Sequence, residues 1–262
     1  MSESPTILFE TSDNLARLTL ANAARRNAMS YGMWSAIPEL IARCEADPEI
    51  RAIVLTGSGE HFCAGADISE FGDKRSDEAG AKAYENAVKA ANAALLNAAK
   101  PTIALIRGTC YGGGVGLALA CDIRLAREDA RFRVPAARLG LGYAFDNLQL
   151  VVARIGFAAA ADLLFSARAF DAAQAERDGI VRRVFASGEF ERQSDEYLQQ
   201  IAGNAPLTLV AAKTALVQLM KSESARDLDA VAQAVAACFA SQDYAEGRKA
   251  FAERREPVFR GR

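Results

Sequence analysis

The sequence holds one histidine, His61, and one tryptophan, Trp34, among 262 residues. With no H-E-x-x-H helix and no Cys/His cluster, it lacks the ligand set of a zinc site. Neither sign of charge is in excess. Lys and Arg number 31 against 33 Asp and Glu, for a net charge of -2, so no global field draws the chain to nucleic acid or to an anionic membrane, and an anionic ligand has to be held locally. Long hydrophobic runs are also missing: stretches such as Val115 to Cys121 fall well short of the roughly 18 residues that span a bilayer. Residues 1–10 show no basic start followed by an apolar run and a small-residue cleavage site, so no secretory signal is expected. The five cysteines, Cys44, Cys63, Cys110, Cys121 and Cys238, are odd in number and lack C-x-x-C spacing. They read as buried thiols in a reducing, cytoplasmic setting. No segment repeats at a fixed period.

What is there is an ordinary globular composition, 51% hydrophobic and 24% charged, long enough for one large domain with or without a small appendage. Thr6 to Glu10 and Ala16 to Leu20 flank the turn residues Ser12, Asp13 and Asn14 and predict an opening hairpin. Ser30 caps an expected helix carrying Met33, Trp34, Ile37, Leu40 and Ile41, with a kink or restart at Pro38. Ile50 to Thr56 and Thr102 to Ile106 read as strands buried on both faces, and Ala81 to Asn97 between them as a helix. Further strands are expected at Asp122 to Ala126, within Phe132 to Pro135 and at Ile180 to Phe185. A helix carrying Leu148, Val151, Val152 and Ile155 lies between, and a capping box at Asp171 and Gln174 follows. Alternating strands and helices imply an α/β fold. Beyond Pro206 only helical periods occur, so the chain divides softly near Gly203 into a core over residues 1–203 and a helical region over 204–262.

Two glycine turns are the places where chemistry could sit. Gly112-Gly113-Gly114 stands between a buried strand and a helix start, where backbone N–H groups can approach a ligand without a Cβ in the way and the helix dipole favours negative charge. No Lys follows as in a P-loop, and Leu117 holds the third glycine position of a dinucleotide fingerprint. Tight helix-on-sheet packing explains such glycines equally well. The second turn, Phe62 to Ile68 around Gly65, follows the strand ending at Thr56; loops after successive parallel strands gather at one edge, so amides from both turns could meet at one carbonyl oxygen.

These segments, with Arg26-Asn27-Ala28-Met29-Ser30, Phe132 and Pro135, Leu139-Gly140 and the C-terminal Glu246 to Phe251 with Arg254, together resemble the enoyl-CoA hydratase/isomerase, or crotonase, superfamily over nearly the whole chain. The resemblance implies a spiral of ββα turns followed by a C-terminal α-helical trimerisation region, a homotrimer or homohexamer, and an acyl-CoA thioester substrate whose enolate is held by two backbone amides. By position these amides are those of Ala66 and Gly113. Coenzyme A would arrive as part of the substrate, with no separate cofactor. Substrate or CoA contacts would come from Arg26, Ala28, Ala64, Asp67, Ile68, Gly112, Lys249 and Phe251.

The departures from the family pattern bear on the reaction. Where hydratases of this family carry two glutamates, this sequence has Gly116 and Ala136, and where dienoyl isomerases and dehalogenases carry an aspartate it has Ala144. None of the three can transfer a proton. Tyr143 and Asp146 remain as polar groups near the expected site. Tyr143 stands where the family's methylmalonyl-CoA decarboxylases have a tyrosine, and Asp146 better suits a cap on the helix beginning near Leu148. Slow hydration is therefore expected. Decarboxylation of a malonyl-type thioester, or acyl-CoA binding without catalysis, stand as alternatives. For His61 a surface loop is expected, for Cys63 and Cys110 structural thiols, and for Arg25 and Arg26 either a solvated pair or a hold on CoA phosphates.

Overall fold

The computed structural model describes residues 5–74 and 76–262. It opens on the expected antiparallel hairpin of β1 (Thr6–Ser12) and β2 (Leu15–Ala21). Asp13 and Asn14 supply the positive φ that a two-residue turn needs. From β2 the sheet continues in parallel through β3 (Ala52–Gly57), β4 (Thr102–Ile106), β6 (Ile123–Arg127) and β9 (Arg183–Phe185). A second, smaller sheet pairs β5 (Thr109–Tyr111) with β7 (Arg131–Arg133) and β7 with β8 (Phe170–Asp171).

Helices link and cover these strands: α1 (Tyr31–Ala46), α2 (Phe71–Lys74), α3 (Glu78–Asn97), α4 (Gly113–Ala120), α5 (Ala136–Leu139), α6 (Phe145–Ser166), α7 (Ala172–Arg177) and α8 (Phe190–Ala202). β3 and β4 are buried along their whole length. Their period of two sorts the core: Ile53, Leu55, Ala104 and Ile106 face the main cluster with α1, α3, α4 and α6, while Ala52, Val54, Ile103 and Leu105 face Phe190, Leu198 and Ala202 of α8.

Four expectations need correction. α1 runs unbroken through Pro38, because Trp34, Ile37 and Ile41 are buried on both sides of it and hold the axis across the missing bond. β9 is only three residues long; Ile180 and Val181 are buried before it, and the chain joins β6 where the Arg182 amide donates to the Arg124 carbonyl. At Asp171 the cap forms, accepting from the Gln174 amide, but Gln174 turns its own side chain to Arg168 and Asp178 and does not complete a box. Last, by length and composition alone α6 is, among the described residues, long and apolar enough to cross a membrane, although Arg154 and Asp162 keep it from being an unbroken apolar run. It is broken at Gly156 (φ 75°, ψ 167°), and Arg154 ties it to α4 by donating to the Leu119 carbonyl at 3.0 Å.

The C-terminal helices α9 (Pro206–Leu219), α10 (Leu228–Ala240) and α11 (Gln242–Glu253) follow. Buried Lys213 on α9 anchors them, pairing with Asp122 at the start of β6 at 2.8 Å and donating to the Lys100 carbonyl at 2.9 Å. An apolar groove of about 810 Å³ lies between them, lined by Ala212, Val235, Phe239, Gly247, Phe251 and Phe259 among others.

Candidate active site

The two glycine turns meet, by a route other than the expected sheet edge. Gly112 follows β5 of the small sheet, not β4, and the turns are brought together by a parallel bridge between Cys63 and Cys110. The Cys63 amide donates to the Thr109 carbonyl at 2.9 Å, and the Tyr111 amide returns a bond to the Cys63 carbonyl at 2.9 Å. Close approach sets residue size here. A Cβ on Gly114 would lie 2.6 Å from the Cys63 carbonyl oxygen, so this glycine is present for packing. Gly65 has φ +103°, and a Cβ on it would sit 2.9 Å from the Tyr111 carbonyl oxygen and 3.4 Å from the Gly113 nitrogen.

Ala66 is fixed from its other side. It bridges Met29 in parallel: the Met29 amide donates to the Gly65 carbonyl at 2.7 Å and the Asp67 amide donates to the Met29 carbonyl at 2.8 Å. That pattern leaves the Ala66 N–H without an acceptor among the described residues. Gly113 is the first residue of α4, where an N–H has no partner within the helix. The Ala66 nitrogen lies 3.8 Å from where a Gly113 Cβ would be. Behind them the Trp34 indole donates to the Tyr84 hydroxyl at 3.1 Å, and that hydroxyl donates to the Met29 carbonyl at 3.2 Å. The Trp34 ring stands 3.1 Å from the Gly113 Cβ position, so a side chain at Gly113 meets a buried ring first.

Around this junction the candidate residues separate. Arg26 takes a left-handed conformation and accepts the Ala64 amide at 2.9 Å through its carbonyl, which ties Arg26 and Ala64 into the Ala66 turn; Ala28 is buried beside them. Asp67 caps the short 3-10 helix Ile68–Glu70, accepting from the Ser69 amide and hydroxyl and from Arg25 at 2.8 Å. Burial opposes its charge, but the Ser69 bonds and Arg25 outweigh it and hold the carboxyl below the usual range. Arg25 is thus engaged with Asp67 and Ser69. Ile68 is 73% exposed. Lys249 and Phe251 lie on α11, and Phe251 lines the C-terminal groove, whose lining includes neither glycine turn.

Of α4, Gly113 and Gly116 alone escape burial, three residues apart and so on one side of the helix. Gly116 faces Asn92 of α3, whose Nδ2 would be 3.6 Å from a Cβ there. Ala136 is buried in the main cluster, and Tyr143 packs half-buried against that cluster. Burial raises the Tyr143 phenol above its usual pKa, so it stays protonated and able to donate. Asp146 is not the cap of α6, a position held by Ala144. It lies in the first turn, over half exposed, and pairs with Lys89 of α3 at 2.5 Å.

His61 does more than occupy a surface loop, accepting the Thr109 amide on Nδ1 at 3.2 Å. Cys63 and Cys110 are buried thiols. Loss of solvation pushes Cys63 up to about 12 and Cys110 well above its ordinary value, as structural thiols require. The sequence reading missed Met29, Tyr84, Asn92 and Asn147. For Asn92 a signal existed, an amide among Tyr84, Val88, Ala91 and Leu95 on the apolar stripe of α3.

The Enoyl-CoA hydratase/isomerase family profile matches residues 10–262. The chain belongs to this family. It is 31% identical to the short-chain-enoyl-CoA hydratase of Clostridium acetobutylicum over 95% of either chain. It is 29% identical to a peroxisomal Δ(3,5)-Δ(2,4)-dienoyl-CoA isomerase of Arabidopsis thaliana, over 95% of this chain and 94% of that one. A solved enoyl-CoA hydratase/carnithine racemase from Magnetospirillum magneticum superposes with a TM-score of 0.91 at 32% identity, covering 99% of this chain and 97% of that one. The fold is the crotonase fold, and the protein is an acyl-CoA enzyme of the hydratase/isomerase family.

Proposed function

We propose that the protein binds an acyl-CoA thioester with its carbonyl oxygen between the amides of Ala66 and Gly113 and stabilises the enolate formed there, without the two carboxylates that hydration employs. The observation that carries this reading is the meeting of two unspent N–H groups, one left over by the Met29 bridge and one at the start of α4. Such donors act on charge as it develops and need no side chain. With Gly116 and Ala136 in place of proton-transferring groups, addition of water across a double bond is slow. Tyr143, held protonated by burial, favours a second reading, decarboxylation of a malonyl-type thioester. There the C–C bond to the carboxylate breaks, carbon dioxide leaves, its electron pair enters the thioester enolate, and a proton is later taken up at the α-carbon.

Coenzyme A enters as part of the substrate. Residues 204–262 are read as the assembly region of a homotrimer or homohexamer in the cytoplasm, the exposed Leu216, Leu219, Phe239 and Phe251 being apolar surface for other subunits. Turnover of crotonyl-, malonyl- and aromatic acyl-CoAs tests the reading. Product from one thioester with slow crotonyl-CoA hydration supports it, whereas binding without product from any of them makes the protein a non-catalytic acyl-CoA binder. Sedimentation tests the assembly, and a monomer at micromolar concentration would refute it.

A further inference from the structure

The amides of Ala66 and Gly113 stand on separate segments, and a single side chain reaches behind both. Trp34 of α1, the one tryptophan of the chain, is 1% exposed. Its Cζ2 and Cη2 atoms lie 3.1 and 3.2 Å from where a Gly113 Cβ would be, so the edge of the ring backs the start of α4. Its Nε1 donates at 3.1 Å to the hydroxyl of Tyr84 on α3, and that hydroxyl donates at 3.2 Å to the Met29 carbonyl.

Met29 in turn aims the Ala66 amide. Its N–H bonds the Gly65 carbonyl at 2.7 Å. A trans peptide turns its C=O and N–H to opposite sides, so the Ala66 N–H points away from Met29. The one indole therefore bears on both donors, on Gly113 by contact and on Ala66 through Tyr84 and Met29. Packing alone does not account for the polar atoms in this chain of bonds. The Met29 carbonyl already accepts the Asp67 amide at 2.8 Å and is satisfied without the hydroxyl. A phenylalanine in place of Tyr84 would keep the ring contacts with Tyr31 and Phe71, at 6.0 and 5.9 Å between centroids, and an aliphatic residue in place of Trp34 would bring no N–H to satisfy. What the two hydrogen bonds add is direction, which apolar contact lacks.

We propose that Trp34 and Tyr84 are positioning residues that fix the spacing and aim of the two amides on the thioester carbonyl. This rests on the acyl-CoA reading above and goes beyond it, by assigning the geometry of the backbone donors to two buried side chains behind them. Donors of this kind are effective only when held in place before charge develops, and a small displacement forfeits much of their effect.

The test is isotope-edited infrared spectroscopy of butyryl-CoA labelled with carbon-13 at the thioester carbonyl, at saturation, on the native protein, Tyr84→Phe and Trp34→Phe, with melting temperature recorded for each. In the native protein the bound C=O stretch should lie below that of the free thioester, because two donors polarise the bond. Each variant should give back about half of that shift, the share of one donor out of two. A merely structural role would lower the melting temperature and leave the bound frequency at its native value. That result in either folded variant overturns the proposal and leaves the acyl-CoA reading intact. Failure of butyryl-CoA to bind the native protein, or a bound frequency equal to the free one, would instead remove the reading of the two amides and this proposal with it. If neither variant folds, the native protein still decides: a carbonyl seated between the amides brings its dipole beside the Trp34 ring, so the emission of this sole tryptophan should change at saturation. Unchanged emission overturns the proposal.

Discussion

The two sides of the candidate site are built by different means. On one side Met29, Gly65, Ala66 and Gly113 present main-chain groups, and the position of each is set by other main-chain bonds, by the Cys63–Cys110 bridge and by the Trp34–Tyr84–Met29 chain behind them. The other side, as the proposed function takes it, is Gly116 with Asn92 against it, and Ala136 and Tyr143 of the main cluster, where the side chain at each position decides what is presented. A backbone donor survives any substitution that keeps the turn, while a carboxylate disappears with one codon. In the proposed function, thioester polarisation therefore falls to the first side and the choice of reaction to the second.

Breaking the first side should have the largest effect. Gly65→Ala puts a Cβ 2.9 Å from the Tyr111 carbonyl at φ +103°, so the turn has to move and carry the Ala66 amide with it. Turnover on the best thioester should fall at least about 10²-fold, and the strain should lower stability by on the order of 1–3 kcal/mol. A folded variant with native turnover would show that the Ala66 amide takes no part. Gly113→Val should also lose activity, but its Cβ presses on the Trp34 ring, so its loss mixes packing with chemistry.

Rebuilding the second side is the converse experiment. Gly116→Glu with Ala136→Glu should raise crotonyl-CoA hydration by about 10²-fold or more, since each restored group commonly contributes 10² to 10⁴. At Gly116 a Cβ meets Asn92 only at ordinary contact distance, whereas Ala136 is buried and a charge there is costly. The single Gly116→Glu variant therefore separates fit from chemistry. Efficient hydration by the native protein would mean that its acid and base groups lie elsewhere.

Within the second side, Tyr143→Phe removes a donor and little volume. If the phenol bonds the departing carboxylate or the enolate, kcat should fall about tenfold, the value of one hydrogen bond near the upper end of its range, with KM little changed. An unaltered kcat would reduce Tyr143 to a packing residue. On the first side, Asp67→Asn should cost about 1 kcal/mol at neutral pH, the half-exposed Arg25 discounting the ion pair. The Asp67 carboxyl is depressed in the folded state, so its stabilisation is full above the ordinary carboxylate pKa of about 4 and is lost as pH falls through the lower folded value. Urea melts of the two proteins should therefore differ at pH 7 and converge in acid; a constant gap would mean that the charge is not what stabilises the turn.

The same division explains what the sequence reveals. The hairpin, the buried strands β3 and β4, the Ser30 cap and the helix opening at Gly113 are local patterns of period, cap and glycine, and they are legible as such. The meeting of the two turns is legible too, though its cause is not, because β5 is three residues long and its partner Cys63 is 47 residues away. The break at Gly156, the continuity of α1 through Pro38 and the orphaned oxygen of Asn92 depend on what packs around them, and no spacing encodes that.

Asp146 gives the smallest expected effect and the finest test of where the second side ends. In sequence it lies three residues from Tyr143 and has the right chemistry for a proton carrier. In the fold its carboxylate points to Lys89, over half exposed, as the link between α6 and α3. An exposed pair of this kind contributes little to stability. Asp146→Asn should therefore change kcat by less than about twofold and move stability by no more than a few tenths of a kcal/mol, an effect that 0.5 M salt should abolish by screening. A loss of tenfold or more that persists in high salt would place Asp146 among the reacting groups, and the boundary between surface and site would then have to be drawn one helical turn further out along α6.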